Sequence, residues 1–266
     1  MSAAATPYVL KTAADGVVTL TLNRGERFNA LSEQMLAALQ AELDALATDP
    51  QARVVVLAAA GRAFCAGHDL KQMIAGGDAG AGPSAAYYNT LFSQCSKLML
   101  SIQQLPQPVI ARVQGIATAA GCQLVAMCDL AVAADDARFA VSGINVGLFC
   151  STPSVALSRN IGRKEAMEML LTGEFIDAAT ARERGLVNRV VAADQLDAEV
   201  ARLAAAIIAK PAVAVAMGKR LFYQQLEMGI AAAYQLAGQT MACNMMDATA
   251  LEGVQAFVEK RKPEWR

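Results

Sequence analysis

Two short stretches concentrate the groups that could stabilise a developing negative charge. The first is Gly61-Arg62-Ala63-Phe64-Cys65-Ala66-Gly67-His68-Asp69-Leu70, and the second is Val113-Gln114-Gly115-Ile116-Ala117-Thr118-Ala119-Ala120-Gly121-Cys122-Gln123-Leu124. Each follows a β-branched run, Val54-Val55-Val56-Leu57 and Val109-Ile110, and each leads into a helical pattern. A strand that ends in a small-residue turn and opens a helix leaves backbone N–H groups unpaired and pointing outward. Two such turns facing one another form an oxyanion hole, the usual device for holding an enolate or a tetrahedral intermediate. His68 is the only histidine of the chain and follows the first turn directly. Its imidazole titrates near neutral pH and can donate or accept a hydrogen bond. A packing role and a functional one are equally open to it.

The elements that must carry these turns are legible from periodicity. Val17 to Leu22 alternates as a strand, Ser32 offers an N-cap, and Met35, Leu36, Leu39, Leu43 and Leu46 recur at helical spacing. Val54 to Ala58 is a continuous apolar strand suited to a buried position. Residues 85–104 read as helix, and 109–113 and 130–134 as strands, so the pattern is α/β. Between two helical patterns lies the glycine-rich segment Gly76–Ser84, read both as a mobile surface loop and as one that orders on ligand binding. From about Pro211 every pattern is helical, over 213–227, 230–246 and 251–259, with five methionines that suit helix packing and subunit contacts. An ordinary helical cap on a single subunit fits the same pattern.

Composition narrows the classes. With 266 residues, 55% of them hydrophobic, the chain can bury a large core. A net charge of −1 gives no electrostatic case for nucleic acid or an anionic membrane. Mean hydropathy is positive, yet no apolar run approaches the roughly 18 residues needed to span a bilayer. The first residues lack a basic segment followed by an apolar one, so secretion is not expected. Six cysteines without a CxxC pair read as reduced, buried thiols, and with one histidine no metal site is expected.

At these residues the chain resembles the crotonase superfamily, the enoyl-CoA hydratase/isomerase family. The similarity runs from Leu20-Thr21-Leu22-Asn23-Arg24 through Phe28-Asn29-Ala30-Leu31 to Gly253-Val254-Gln255-Ala256-Phe257-Val258-Glu259-Lys260-Arg261, nearly the whole chain. Within the family, residues 114–123 and 145–151 look most like the subgroup called enoyl-CoA hydratase domain-containing protein 3. The resemblance implies a crotonase-like spiral of ββα units over residues 1–205 and an all-helical oligomerisation region over 206–266. It also implies an acyl-CoA substrate, with coenzyme A entering as part of that substrate and no separate cofactor. A homotrimer or dimer of trimers follows from the same likeness, as does a cytoplasmic location (the mitochondrial matrix for a processed eukaryotic protein).

Carried over residue by residue, the resemblance places oxyanion donors at the N–H of Ala66 and of Ala120. Alanine replaces the glycine common at position 120 and is tolerated there if φ is negative. Coenzyme A would lie between Arg24, Phe28 and Ala30 on one side and Phe64, Asp69 and Leu70 on the other, mostly through backbone contacts. Gly121 and Gly143 are among the expected substrate- and coenzyme A-binding residues, and Phe257 and Lys260 approach the adenosine phosphate. The family's two catalytic glutamates correspond to Gln123, which can orient water but not take its proton, and to Gly143, which has no side chain. A further acid used by some isomerases corresponds to Ser151. Ordinary two-carboxylate hydration is therefore disfavoured. The segment Ala66–Asp69 and Asn145 also resemble a decarboxylase branch acting on malonyl-type thioesters, in which no base is needed. Thioester hydrolysis and binding without turnover remain open. Cys150 reads as an inert thiol, and Asp69 and Asp129 as capping or loop-fixing groups.

Overall fold

The computed structural model describes residues 6–76, 82 and 84–265. It opens with a hairpin absent from the sequence reading, β1 (Val9–Ala14) antiparallel to β2 (Val17–Leu22). Helix α1 (Glu33–Leu46) starts where Ser32 accepts the Met35 N–H, and all five spaced apolar residues are buried. Two strands follow, β3 (Val54–Ala59) and β4 (Ala63–Cys65), then α2 (Leu70–Ala75) and α3 (Ala85–Gln104). Most of the Gly76–Ser84 loop lies outside the described residues. The next unit repeats the plan with β5 (Val109–Val113), β6 (Ile116–Thr118) and α4 (Ala120–Met127). A third repeats it with β7 (Leu130–Ala134), β8 (Arg138–Ala140) and α5 (Ser151–Leu157).

In each unit the first strand joins one sheet and the second strand joins another. The larger sheet has the order β1-β2-β3-β5-β7-β10, parallel apart from β1. The smaller has the order β4-β6-β8-β9. This is the ββα spiral, and it places the β4–α2 and β6–α4 turns side by side because β4 pairs with β6. After α6 (Arg163–Thr172) come β9 (Ile176–Asp177), α7 (Ala178–Glu183), β10 (Arg189–Val191) and α8 (Leu196–Ile208). Alternation along β3 separates two cores. Val55, Leu57 and Ala59 face the main core, and Val54, Val56 and Ala58 face Leu196, Val200 and Ala204 of α8.

The tail is helical as expected: α9 (Ala212–Leu226), α10 (Ile230–Met245) and α11 (Ala248–Val258). The boundary drawn after residue 205 falls in the last turn of α8. Among the described residues no single helix is long and apolar enough to cross a membrane.

Candidate functional site

The first turn is shaped by Asn29, fully buried in the left-handed region at φ 51°. Its Nδ2 donates to Ala60 O (2.8 Å) and Ala63 O (2.9 Å), and its Oδ1 accepts the Arg24 N–H (2.8 Å). Asparagine tolerates this conformation better than other residues with a Cβ, and the fold uses it to clamp the 24–30 loop onto the β3–β4 connection. That clamp changes the donor assignment. The Ala66 N–H donates to Phe28 O at 3.0 Å, so the donor expected at Ala66 is already engaged. The Gly67 N–H lies toward the Cys65 sulfur and lowers that thiol's pKa against the larger effect of burial. The His68 N–H is left, with no partner among the described residues. Sequence spacing could not find this, because the competing carbonyl belongs to a distant loop.

The second turn ends at Ala119, with φ 50° and ψ −122°. An alanine in this glycine-favouring region stores roughly 1–3 kcal/mol of strain, held here by the Ala119 N–H to Ala140 O bond at 3.0 Å. Ala120 itself is not among the positive-φ residues, so the condition for alanine at this position is met and the strain sits one residue earlier. The opening of α4 has no side-chain cap, and the Ala120 N–H has no partner among the described residues. Gly67, at φ 87°, separates the two turns: a Cβ on it would lie 3.2 Å from Ala120 N and 2.9 Å from Ala119 Cβ. Gly121 is equally constrained, since a Cβ there would come within 2.1 Å of Cys65 O. Both glycines therefore permit a close approach, and the two free N–H groups belong to turns in contact.

Around this opening the side chains are uncharged. Gln123 is buried one helical turn beyond Ala120, and its Oε1 has no partner among the described residues. Burial pulls the His68 imidazole down to about 4, so the ring is neutral at physiological pH. Its Nε2 is sealed without a partner among the described residues, and the ring meets Phe92 edge-on at 5.6 Å. Phe92 stacks in turn on Tyr88 (6.3 Å), which sequence reasoning did not single out. Gly143 has no room for a side chain: a Cβ would lie 2.6 Å from Leu148 O and 2.8 Å from Cys150 Sγ. Cys150 accepts the Gly143 N–H at 3.3 Å, and burial raises its thiol pKa, which disfavours the thiolate. The exposed Ser151 hydroxyl bonds Phe149 O, and Asn145 Nδ2 bonds Gly173 O. Asp69 caps α2 by accepting from Lys71 and Gln72 N–H, as expected. Asp129 caps no helix, but it fixes the turn between α4 and β7, in line with the loop-fixing role expected for it. It is an interior anchor, bound by Lys219 Nζ (2.7 Å), Tyr223 Oη (2.8 Å) and Val109 N (2.6 Å).

A cleft of about 450 Å³ brings Arg24, Ala30 and Asp69 together with Arg27, Lys71 and Tyr8. The Arg24 guanidinium is held over the Tyr8 ring at 3.8 Å and by carbonyls of Thr6 and Pro7. Phe28 and Leu70 are exposed, and Arg62 covers the Phe28 ring at 4.6 Å. Phe64 points the other way: its ring is fully buried, so only its backbone can meet a ligand. Phe257 and Lys260 do not line this cleft. They sit on and just after α11, which packs against α10.

The fold and the paired turns define a crotonase-type protein. A family model described as "Enoyl-CoA hydratase/isomerase" matches residues 12–266, and the chain belongs to that family. It is 45% identical over 262 residues to enoyl-CoA hydratase domain-containing protein 3, mitochondrial, of Xenopus laevis, covering 98% of this chain and 86% of that one. The human protein of the same name is 44% identical over 94% of this chain and 81% of its own. Among solved structures, an enoyl-CoA hydratase of Mycobacterium smegmatis superposes with a TM-score of 0.94 at 65% identity, covering 98% and 99% of the two chains. Human enoyl coenzyme A hydratase domain-containing protein 3 superposes with a TM-score of 0.92 at 42% identity, covering 97% and 100%.

Proposed function

We propose that this protein binds an acyl-CoA thioester and stabilises the enolate formed from it, in a reaction of the hydratase/isomerase type within fatty acid metabolism. The observation that carries this reading is the pair of N–H groups, His68 and Ala120, that have no partner among the described residues and belong to turns in contact at Gly67. A thioester oxygen between them would gain hydrogen bonds that strengthen as it becomes an oxyanion. Loss of one such donor typically costs about 2.7–4 kcal/mol of barrier. Arg24, Arg27 and Lys71 around the outer cleft suit the phosphates of coenzyme A, which enters with the substrate rather than as a separate cofactor. Gln123 orients the acyl group or a water without removing a proton.

The absence of space at Gly143 favours a second reading, in which the hole is kept and acid–base work is not. Decarboxylation of a malonyl-type thioester, thioester hydrolysis and binding without turnover all fit that description. The vertebrate relatives carry a mitochondrial designation, while the location expected for this chain is the cytoplasm, or the mitochondrial matrix for a processed eukaryotic protein.

The deciding experiment is a mass-spectrometric screen of the purified protein against enoyl-, malonyl-type and saturated acyl-CoAs. Gain of water by an enoyl-CoA upholds the first reading, with the proton of the attacking water passing to solvent because neither Gln123 nor Gly143 can take it. Loss of carbon dioxide or release of free coenzyme A would move the protein to the second reading, as would binding with no mass change. Gly67→Ala, which puts a methyl 3.2 Å from Ala120 N, should then lower turnover by about 100-fold or more, the scale of a lost oxyanion donor. Turnover unaffected by it would remove the hole from the mechanism.

A further inference from the structure

The two walls of the outer cleft meet at His68. One wall is the segment over 24–34, which contributes Ala30 and Ser32. The other is α2 with its capping residue, which contributes Asp69, Lys71, Gln72 and Ala75. Leu31 bridges the walls on either side of the histidine. Its N–H donates to Gly67 O at 2.8 Å, and its carbonyl accepts the Asp69 N–H at 3.4 Å. His68 lines no part of the cleft, yet its backbone lies on the seam about which the walls would turn.

α2 has six residues, and its exit has no backbone cap among the described residues. A helix this short is marginal by itself, so tertiary contacts fix its position. α1 holds it at Gln72, whose Oε1 accepts the Glu33 N–H at 2.7 Å. α3 holds it at Met73, whose carbonyl accepts the Tyr88 hydroxyl at 3.2 Å. The Tyr88 ring also stacks on Phe92, one turn along α3, and Phe92 meets the His68 ring edge-on. One residue of α3 thus reaches the body of α2 directly and, through Phe92, the histidine just ahead of it.

Resting on the acyl-CoA reading above, we propose that α2 is a relay between the two ends of the substrate. Closure of the cleft walls on the nucleotide end of coenzyme A sets the direction of the His68 N–H, and Tyr88 is the positioning residue that fixes the relay. Tyr88 does not line the cleft, so it acts only through α2 and Phe92. Binding energy from the end of the substrate that does not react is thereby used to aim a donor at the developing oxyanion.

His68, the only histidine, provides the readout. The intact protein made with isotope-labelled histidine gives one imidazole NMR signal. The ring is uncharged near neutral pH, so a change there reports displacement rather than protonation. Saturating adenosine 3′,5′-bisphosphate, the nucleotide end of coenzyme A, should move that signal in the wild-type protein. Tyr88→Phe keeps the ring stack and loses only the hydroxyl; it should bind the nucleotide but lose the movement. Gly76→Ala should do the same by a second route, since its Cβ would overlap the Tyr87 ring and push the end of α2 off α3. On a thioester that is turned over, Tyr88→Phe should lower kcat about tenfold and leave KM within about threefold, the scale of one hydrogen bond felt in the transition state. A nucleotide that binds without moving the His68 signal, or moves it equally in Tyr88→Phe, overturns the relay and leaves the acyl-CoA reading standing. Failure of the wild-type protein to bind either the bisphosphate or coenzyme A overturns both.

Discussion

Because His68 is the only histidine, its burial can be read in isolation. Its pKa is held at about 4, well below the 6.5 of a free imidazole, because the charged form is poorly hydrated in the fold. Between those values the unfolded chain binds a proton that the folded chain does not, so stability rises with pH. The contribution is complete above pH 6.5 and is lost as pH falls toward 4. At about 1.4 kcal/mol per pH unit it amounts to at most ~3 kcal/mol, and less to the extent that solvent reaches the ring. The perturbed carboxylates (Asp177, Asp197, Glu199, Asp247 and Glu259) are all shifted downward and titrate at lower pH. We therefore expect the urea midpoint to fall between pH 6.5 and 5, and His68→Phe to flatten that slope. A wild-type midpoint constant over this interval would mean that the imidazole is protonated in place. The residue types of the site were legible: small turns, a neutral Gln123, an empty Gly143. Which N–H is free was not, because the Phe28 carbonyl that occupies Ala66 reaches it only through the left-handed backbone at Phe28 and Asn29.

At the level of elements, α9 buries no residue of its own, yet it is tied to the core by a polar anchor. Lys219 Nζ donates to Ile102 O, Gln107 O and Asp129 Oδ2, so one ammonium joins the end of α3, the entry to β5 and the exit from α4. The Lys219 side chain is 6% exposed and that of Asp129 14%, and burial lowers the lysine pKa against the carboxylate's pull. Removing one partner of such a pair leaves a charge without compensation, typically at a cost of 3–5 kcal/mol. Lys219→Met should therefore depress the denaturation midpoint strongly, and adding Asp129→Asn should restore part of the loss. A double variant no more stable than Lys219→Met would show that the charge is not what matters there. Long periodic elements were readable in advance, with residues 85–104, 109–113 and 130–134 matching to the residue. The three-residue strands β4, β6 and β8 were not, since three residues carry no period. Nor was the Asp129 anchor, whose partners lie on helix α9 far along the chain.

For the whole molecule the outstanding fact is what the described chain leaves uncovered. Across α10 and α11 only Ala233 and Ala256 are buried, while Ile230, Tyr234, Met241, Met246, Phe257 and Val258 are each more than two-thirds exposed. Scattered apolar residues are ordinary on a surface, whereas Ile230, Tyr234 and Met241 recur on one side of α10, the pattern expected of a subunit contact. A second observation agrees with it: Phe257 and Lys260, expected near the nucleotide, do not line the Arg24 cleft of their own protomer. Another copy could bring them there. We expect sedimentation at micromolar concentration to give a trimer or a dimer of trimers. Ile230→Glu combined with Tyr234→Lys places charge on one face of α10, four residues apart, and should shift the protein to monomers with unchanged helix content. Acyl-CoA affinity should fall with the loss of assembly, because the neighbour's Phe257 and Lys260 would leave with it. A monomer that binds acyl-CoA as tightly as the assembly would confine the nucleotide site to one chain and leave the apolar face to subunit contact alone.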